Sequence, residues 1–273
     1  MSKVTVAEKL SAIGNNMARV YDTGFEKGHD QGFEEGKQVG DYAQGFEEGK
    51  QAEYDAFWDA FQNFSRYRWT NVFQGESWND ITFRPKYNIT PIGTSDSLFR
   101  YAAITDLDGR LNECGVILDT SNATSLNNAF AESGFTTMPT LDIRKCTASN
   151  AANAMFAGCT KLKSIRKLIV NESIIFSRTF VNCPLLENII FEGVIGQDID
   201  FTSCTKLREA SIRSSITHLS DTASGKTLTL SKVAVDNAFL FSWEGGNVPG
   251  TDETNPFWPQ LRDSKPNWTI TLV

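Results

Sequence analysis

The chain lacks long apolar runs. Stretches such as Ile189 to Phe191 and Phe239 to Phe241 fall far short of the roughly 20 residues a membrane helix needs, which argues against a helical membrane span. Histidine is scarce, with only His29 and His218, and none of the five cysteines, at 114, 146, 159, 183 and 204, forms a C-x-x-C pair. Metal-ligand spacing is therefore missing, no cofactor motif is present, and the thiols are expected to be reduced in a cytoplasmically assembled protein. Met1 to Asn16 has no basic stretch leading into an apolar block, so no export signal is expected. Bases are in short supply at the front of the chain. Residues 1–62 hold twelve acids against six bases, which accounts for −6 of the net charge of −7. A chain of this sign repels phosphate backbones, and no basic stripe interleaved with aromatics offsets it, so nucleic acid is not an expected partner.

What the chain does have is apolar material, 40% hydrophobic and 11% aromatic, enough for one or two packed domains. Proline is absent from Val4 to Phe61, and Leu10, Ile13, Met17, Val20 and Gly24 step by three or four residues, the period of one helix face. Glycines then recur at Gly24, Gly28, Gly32, Gly36, Gly40, Gly45 and Gly49, with "GFEEGKQ" at 32–38 and again at 45–51. Seven helical glycines cost on the order of 1 kcal/mol each relative to alanine, so a helix here needs a partner. Glycines four apart form a groove that lets a second backbone approach, flanked by Phe25, Phe33 and Phe46, and this predicts a helical homo-oligomer. A flexible acidic linker is the competing reading of the same composition. Tyr54, Phe57, Trp58 and Phe61 lie on one side of an amphipathic segment, "EYDAFWDAFQNF", that must dock and is assigned an anchoring role. Turn-rich residues 63–97, with Gly75, Pro85 and Pro91, read as an irregular neck.

The second half repeats. "NNAFAESGFTTM", "NAMFAGCTKLKSI", "SRTFVNCPLLENI" and "DIDFTSCTKLREA" align on Phe130, Phe156, Phe180 and Phe201, which are 26, 24 and 21 residues apart. The last three carry cysteine at plus three and leucine at plus six, giving the core positions Cys159, Leu162, Cys183, Leu186, Cys204 and Leu207. Each unit offers a ring, a small thiol and a leucine that it cannot bury alone, so stacked neighbours build one core. In the first unit Ser133 stands in the cysteine position, which suits a terminal repeat.

The pattern F-x-x-C-x-x-L-x-x-I resembles the BspA-like leucine-rich repeat over about 125–215. "LSDTASGKTLTLSKVAVDNAF" and "KPNWTITLV" look like the C-terminal cap of leucine-rich-repeat proteins of phages and prophages of gut Firmicutes. "VAEKLSAIGNNMARVYDTGFEKG" and "KQAEYDAFWDAFQ" look like their N-terminal segments. The resemblance implies an α+β chain: a long glycine-rich helical stalk at 1–62, the neck, and a repeat solenoid at 98–273 with its cap from about 206. It further implies a non-enzymatic virion protein of the tail-fibre, head-fibre or baseplate type, homo-oligomeric and by analogy trimeric. Its partners would be other virion proteins and a host-surface polysaccharide or protein. A flagellar-export-type regulator, suggested by the glycine-every-four helix, and a polysaccharide-degrading tailspike are the alternatives. Candidate chemistry is sparse. Serines cluster near His218 and Asp221 without a G-x-S-x-G elbow, and "DLDG" at 106–109 has carboxylates at alternate positions but reads as a turn. Ser231 is placed to cap a helix running to Phe239, and Leu228, Leu230, Ile270 and Leu272 alternate with threonines as strands do.

Overall fold

A repeat of 21 to 26 residues is long enough to run one short strand, turn, and return beside its starting point, which is the requirement for parallel pairing. The computed structural model, which describes residues 85–243 and 246–273, takes that route. Strands β1 (Ile92–Thr94) and β2 (Asn122–Ser125) pair in parallel, and β3 (Thr137–Asp142), β4 (Ser164–Val170) and β5 (Asn188–Gly193) form a parallel sheet in chain order. A third parallel sheet has the order β10-β7-β6, from β6 (Ile199–Phe201), β7 (Lys226–Leu230) and β10 (Trp268–Leu272). Interspersed are α1 (Leu107–Cys114), α2 (Glu209–Thr217), α3 (Lys232–Ala238), the antiparallel hairpin of β8 (Phe241–Trp243) and β9 (Gly246–Val248), and α4 (Trp258–Asp263).

This corrects the expected fold class. Parallel sheets with short helices between some of their strands make a mixed α/β arrangement rather than α+β, and the longest described helix, α2, has 9 residues. The physical reason is the crossover: each parallel pairing needs a return segment, which turns supply within β3, β4 and β5 and which includes α1 between β1 and β2 and α2 between β6 and β7, so helices and strands do not segregate along the chain. The expected stalk and its glycines Gly24 to Gly49, the flanking Phe25, Phe33 and Phe46, and the anchoring stripe Tyr54, Phe57, Trp58 and Phe61 lie outside the described residues. The described part of the neck carries β1, and Ile89 bridges to Leu118.

The turns that connect the strands share one backbone rule. Around Phe99, Phe130, Phe156 and Phe180, the residues two before and two after are left-handed: Ser97 and Tyr101, Asn128 and Glu132, Ala154 and Gly158, Arg178 and Asn182. A left-handed residue other than glycine costs about 1–2 kcal/mol, so seven of them at matched positions must be compensated. The reversals aim alternate N–H groups along the stacking direction. Phe99 N–H donates to Ala129 C=O at 2.6 Å, Phe130 to Met155 at 3.0 Å and Phe156 to Thr179 at 3.0 Å. They also turn each ring inward. Phe99, Phe130, Phe156, Phe180 and Phe201 stack with successive centroid separations of 5.9, 5.4, 5.8 and 4.7 Å.

The thiols complete this column. Cys159 Sγ donates to Phe130 C=O at 3.0 Å and Cys183 Sγ to Phe156 C=O at 3.1 Å, while Cys204 Sγ lies 3.8 Å from Phe180 C=O. Each small side chain thus fills space as a hydrophobe and supplies a weak donor to a buried carbonyl of the preceding turn. Ser133, in the cysteine position of its unit, donates to Phe130 C=O at 2.7 Å. Close approach also fixes Gly193 (φ 94°), where a Cβ would sit 2.1 Å from the Val170 carbonyl oxygen.

Candidate binding surface

A parallel sheet built from repeats ends in an unpaired strand edge, which is an aggregation hazard unless covered. Helix α2 covers β5 in an uncommon way. Ile189 N–H donates to Ser211 Oγ at 2.9 Å and Phe191 N–H to Ser214 Oγ at 2.9 Å, both buried, so hydroxyls take the place of the carbonyls of a next strand. Ser211 Oγ also donates to Glu187 C=O at 2.9 Å. Beyond the helix the backbone ladder resumes, with Ile195 N–H donating to His218 C=O and Ser220 N–H to Ile195 C=O. On the opposite edge Thr120 does the same for β3, since its Oγ1 accepts from Asp142 N–H at 2.8 Å and donates to Asp142 C=O at 2.9 Å.

These contacts account for the residues that sequence singled out near His218. Ser214 Oγ is engaged with β5, the His218 ring Nδ1 lies 2.8 Å from the Ser214 carbonyl oxygen at the end of its own helix, and Asp221 pairs with Lys265 Nζ at 2.6 Å. The three side chains point to three different partners. "DLDG" is a helix start rather than a free turn: Asp106 Oδ1 accepts from Gly109 N–H at 2.9 Å as the N-cap of α1, and Asp108 pairs with Arg166 at 2.6 Å. Ser231 occupies the N-cap position of α3 without a side-chain cap bond. The repeat residues Phe130, Phe156, Cys159, Leu162, Phe180, Cys183, Leu186, Phe201, Cys204 and Leu207 are all buried in the core. Burial pushes the Cys146 thiol up to about 12 and raises those of Cys159, Cys183 and Cys204 as well.

With both edges occupied, what the sheet of β3, β4 and β5 offers outward is side chains. Arg166, Ile190 and Glu192 are exposed, and opposite charges are paired, Lys167 with Glu192 of the next strand at 2.7 Å and Arg166 with Asp108 at the start of α1 at 2.6 Å. The bond from Arg144 holds the Asp142 carboxyl below its usual range. Exposed pairs of this kind contribute little stability, about 0–1 kcal/mol, so they set the character of the face rather than the fold. Between α1 and β3 the face is indented by an open groove of about 350 Å³, floored by Leu111, Leu118, Pro139 and Ile169 and rimmed by Asp108, Asp119, Asp142 and Arg166.

Sequence reasoning missed three features: the buried ring Phe99, the buried edge-sealing serines and the groove. Phe99 escaped because Ala102 and Thr105 occupy the motif's cysteine and leucine slots and α1 lengthens the spacing to Phe130 to 31 residues. Its flanks gave little signal, since the left-handed positions are filled by Ser97, Tyr101, Asn128, Glu132, Ala154, Gly158, Arg178 and Asn182, and only asparagine occurs twice. No group of three or more His, Cys, Asp or Glu that could hold a metal occurs among the described residues. No protein-family model, curated protein or solved structure matches this chain.

Proposed function

We propose that this protein is a non-enzymatic structural and adhesive component of a bacteriophage particle, related to BspA-like leucine-rich-repeat proteins. The observation that carries the adhesive half is the outward face of β3, β4 and β5, where charged side chains, the exposed Ile190 and an indented groove are held on one core of the described residues. A rigid face of repeated strands makes many weak contacts at small entropic cost, and many copies on one particle multiply them into avidity. The assignment to a virion rests on the sequence resemblance of both chain ends. In this reading residues 1–62 anchor the chain to itself and to other virion proteins, and the stacked repeats project toward a host-surface polysaccharide or protein.

Mass spectrometry of purified particles tests the assignment, with the full chain expected at a fixed ratio to the major structural proteins. A chain beginning at Ser65 is expected to fold yet fail to copurify. Particles that lack the protein, or that incorporate the shortened chain equally well, overturn the proposal.

A further inference from the structure

The cap sheet carries a second outward face of different chemistry. In β7 and β10 the inward residues are Leu228, Leu230, Ile270 and Leu272, and the residues between them are threonines in register, Thr227 beside Thr269 and Thr229 beside Thr271. On the other side of β7, Asp200 pairs in register with Thr229, and Asp198 Oδ1 accepts from Thr227 N–H at 2.8 Å. The outward face is therefore a grid of two rows, each one aspartate and two threonines wide. Grid points lie about 4.8 Å apart across strands and about 6.7 Å apart along them. At the aspartate edge the grid descends into a groove of about 480 Å³ whose far wall is the preceding turn, Ile175 to Arg178. The Arg178 guanidinium is exposed and forms no ion pair among the described residues.

We propose that this groove and grid bind a neutral saccharide, an inference that rests on the adhesive reading above and names its ligand class. The lining decides between ligand classes. A peptide needs an open apolar pocket for an anchor side chain, whereas Phe176 and Ile199 are already buried by the core and only the half-buried Ile175 is left to offer apolar contact. Phosphate-bearing and other polyanionic ligands meet two carboxylates against one guanidinium. A polyhydroxyl ring matches what is present. Asp198 and Asp200 each have one carboxylate oxygen engaged locally, by Thr227 N–H and by the Thr202 N–H and hydroxyl, which leaves the second oxygen to accept from sugar hydroxyls. Arg178 donates in a fixed plane, and the threonine hydroxyls donate and accept.

The test is saturation-transfer NMR on the full chain with maltotriose, cellotriose and chitotriose as probes. The variants are chosen to preserve folding. Thr227→Val with Thr229→Val is isosteric in a strand, and Arg178→Asn keeps a residue type that tolerates the left-handed backbone at 178. The expected result is binding of at least one trisaccharide, weakened about tenfold by either variant, as the loss of one or two hydrogen bonds implies, and unchanged in Glu253→Gln, whose carboxylate pairs with Arg262 and does not line the groove. Binding of none of the three, or binding indifferent to both variants, overturns the inference. Its failure is separable from that of the virion assignment: particles that carry a protein blind to saccharides refute only the ligand, and a saccharide binder absent from particles refutes only the assignment.

Discussion

Replacing the two edge-sealing serines probes the least conventional feature of the fold. Ser211→Ala removes the acceptor for Ile189 N–H and the donor to Glu187 C=O, and Ser214→Ala removes the acceptor for Phe191 N–H. Each leaves a buried amide without a partner, since β5 has a strand neighbour on one side only and α2 covers the other. An orphaned buried donor costs about 1–3 kcal/mol, so the double variant should lose roughly 2–6 kcal/mol of a stability that for an ordinary domain is about 5–15 kcal/mol. Ser215→Ala is the internal control. Its hydroxyl bonds only Ser211 C=O in its own helix, at 2.9 Å, and alanine is the better helix former, so the change should stay within about 1 kcal/mol. Guanidinium unfolding followed by circular dichroism gives the energies. Native-state hydrogen exchange gives the location, with the Ile189 and Phe191 amides expected to lose protection first. A double variant that loses less than about 1 kcal/mol, or that leaves those two amides protected, refutes the argument that hydroxyls close this sheet.

Two further outcomes follow from the core. Phe180 stacks between Phe156 and Phe201, so Phe180→Ala should cost about 3–5 kcal/mol in the same unfolding assay, and an effect below about 1 kcal/mol would remove the ring column from the list of stabilising features. Cys159, Cys183 and Cys204, buried and with raised thiol pKa, should react with a thiol reagent only as fast as the protein opens, whereas the partly exposed Cys114 should label promptly, and mass spectrometry of the timed products distinguishes the two classes.

The legible part of this fold was the part that repeats. Phenylalanine, cysteine and leucine recur in the same order at Phe156, Phe180 and Phe201 because each turn must present the same three shapes to the turn before it, and a period survives in sequence when packing demands it. What did not repeat was not legible. α1 displaces Phe99 from the period, and only one of the eight left-handed positions, Gly158, is a glycine, so the rule that shapes the four turns from Phe99 to Phe180 left mainly Asn128 and Asn182 as traces. The serines were read against His218, their neighbour in sequence, although their partners lie 22 and 23 residues earlier on β5. A hydroxyl carries no pattern that says which amide it will face. The class α+β was misjudged for a related reason: a strand spaced by repeats looks local in sequence, and its parallel pairing is visible only once the return segments are placed.

Sealed edges bear on where recognition can occur. A strand edge recruits partners through backbone groups and is nearly blind to sequence, so an adhesive protein that kept β5 open would pair with other strands indiscriminately. By occupying Ile189 and Phe191 N–H with serines and Asp142 N–H with Thr120, the chain withdraws backbone groups from both sides of its central sheet. Contact is left to side chains on the faces, where Arg166, Ile190 and Glu192, or the threonines of the cap, can be exchanged without disturbing the ring column beneath. The core residues and the displayed residues occupy different positions along the strands, with local exceptions at Met138–Pro139 and Arg166–Lys167, so the two sets are largely independent in energy. A scaffold of that kind can change its displayed residues at constant fold, which is the property that the adhesive role proposed above would require of it.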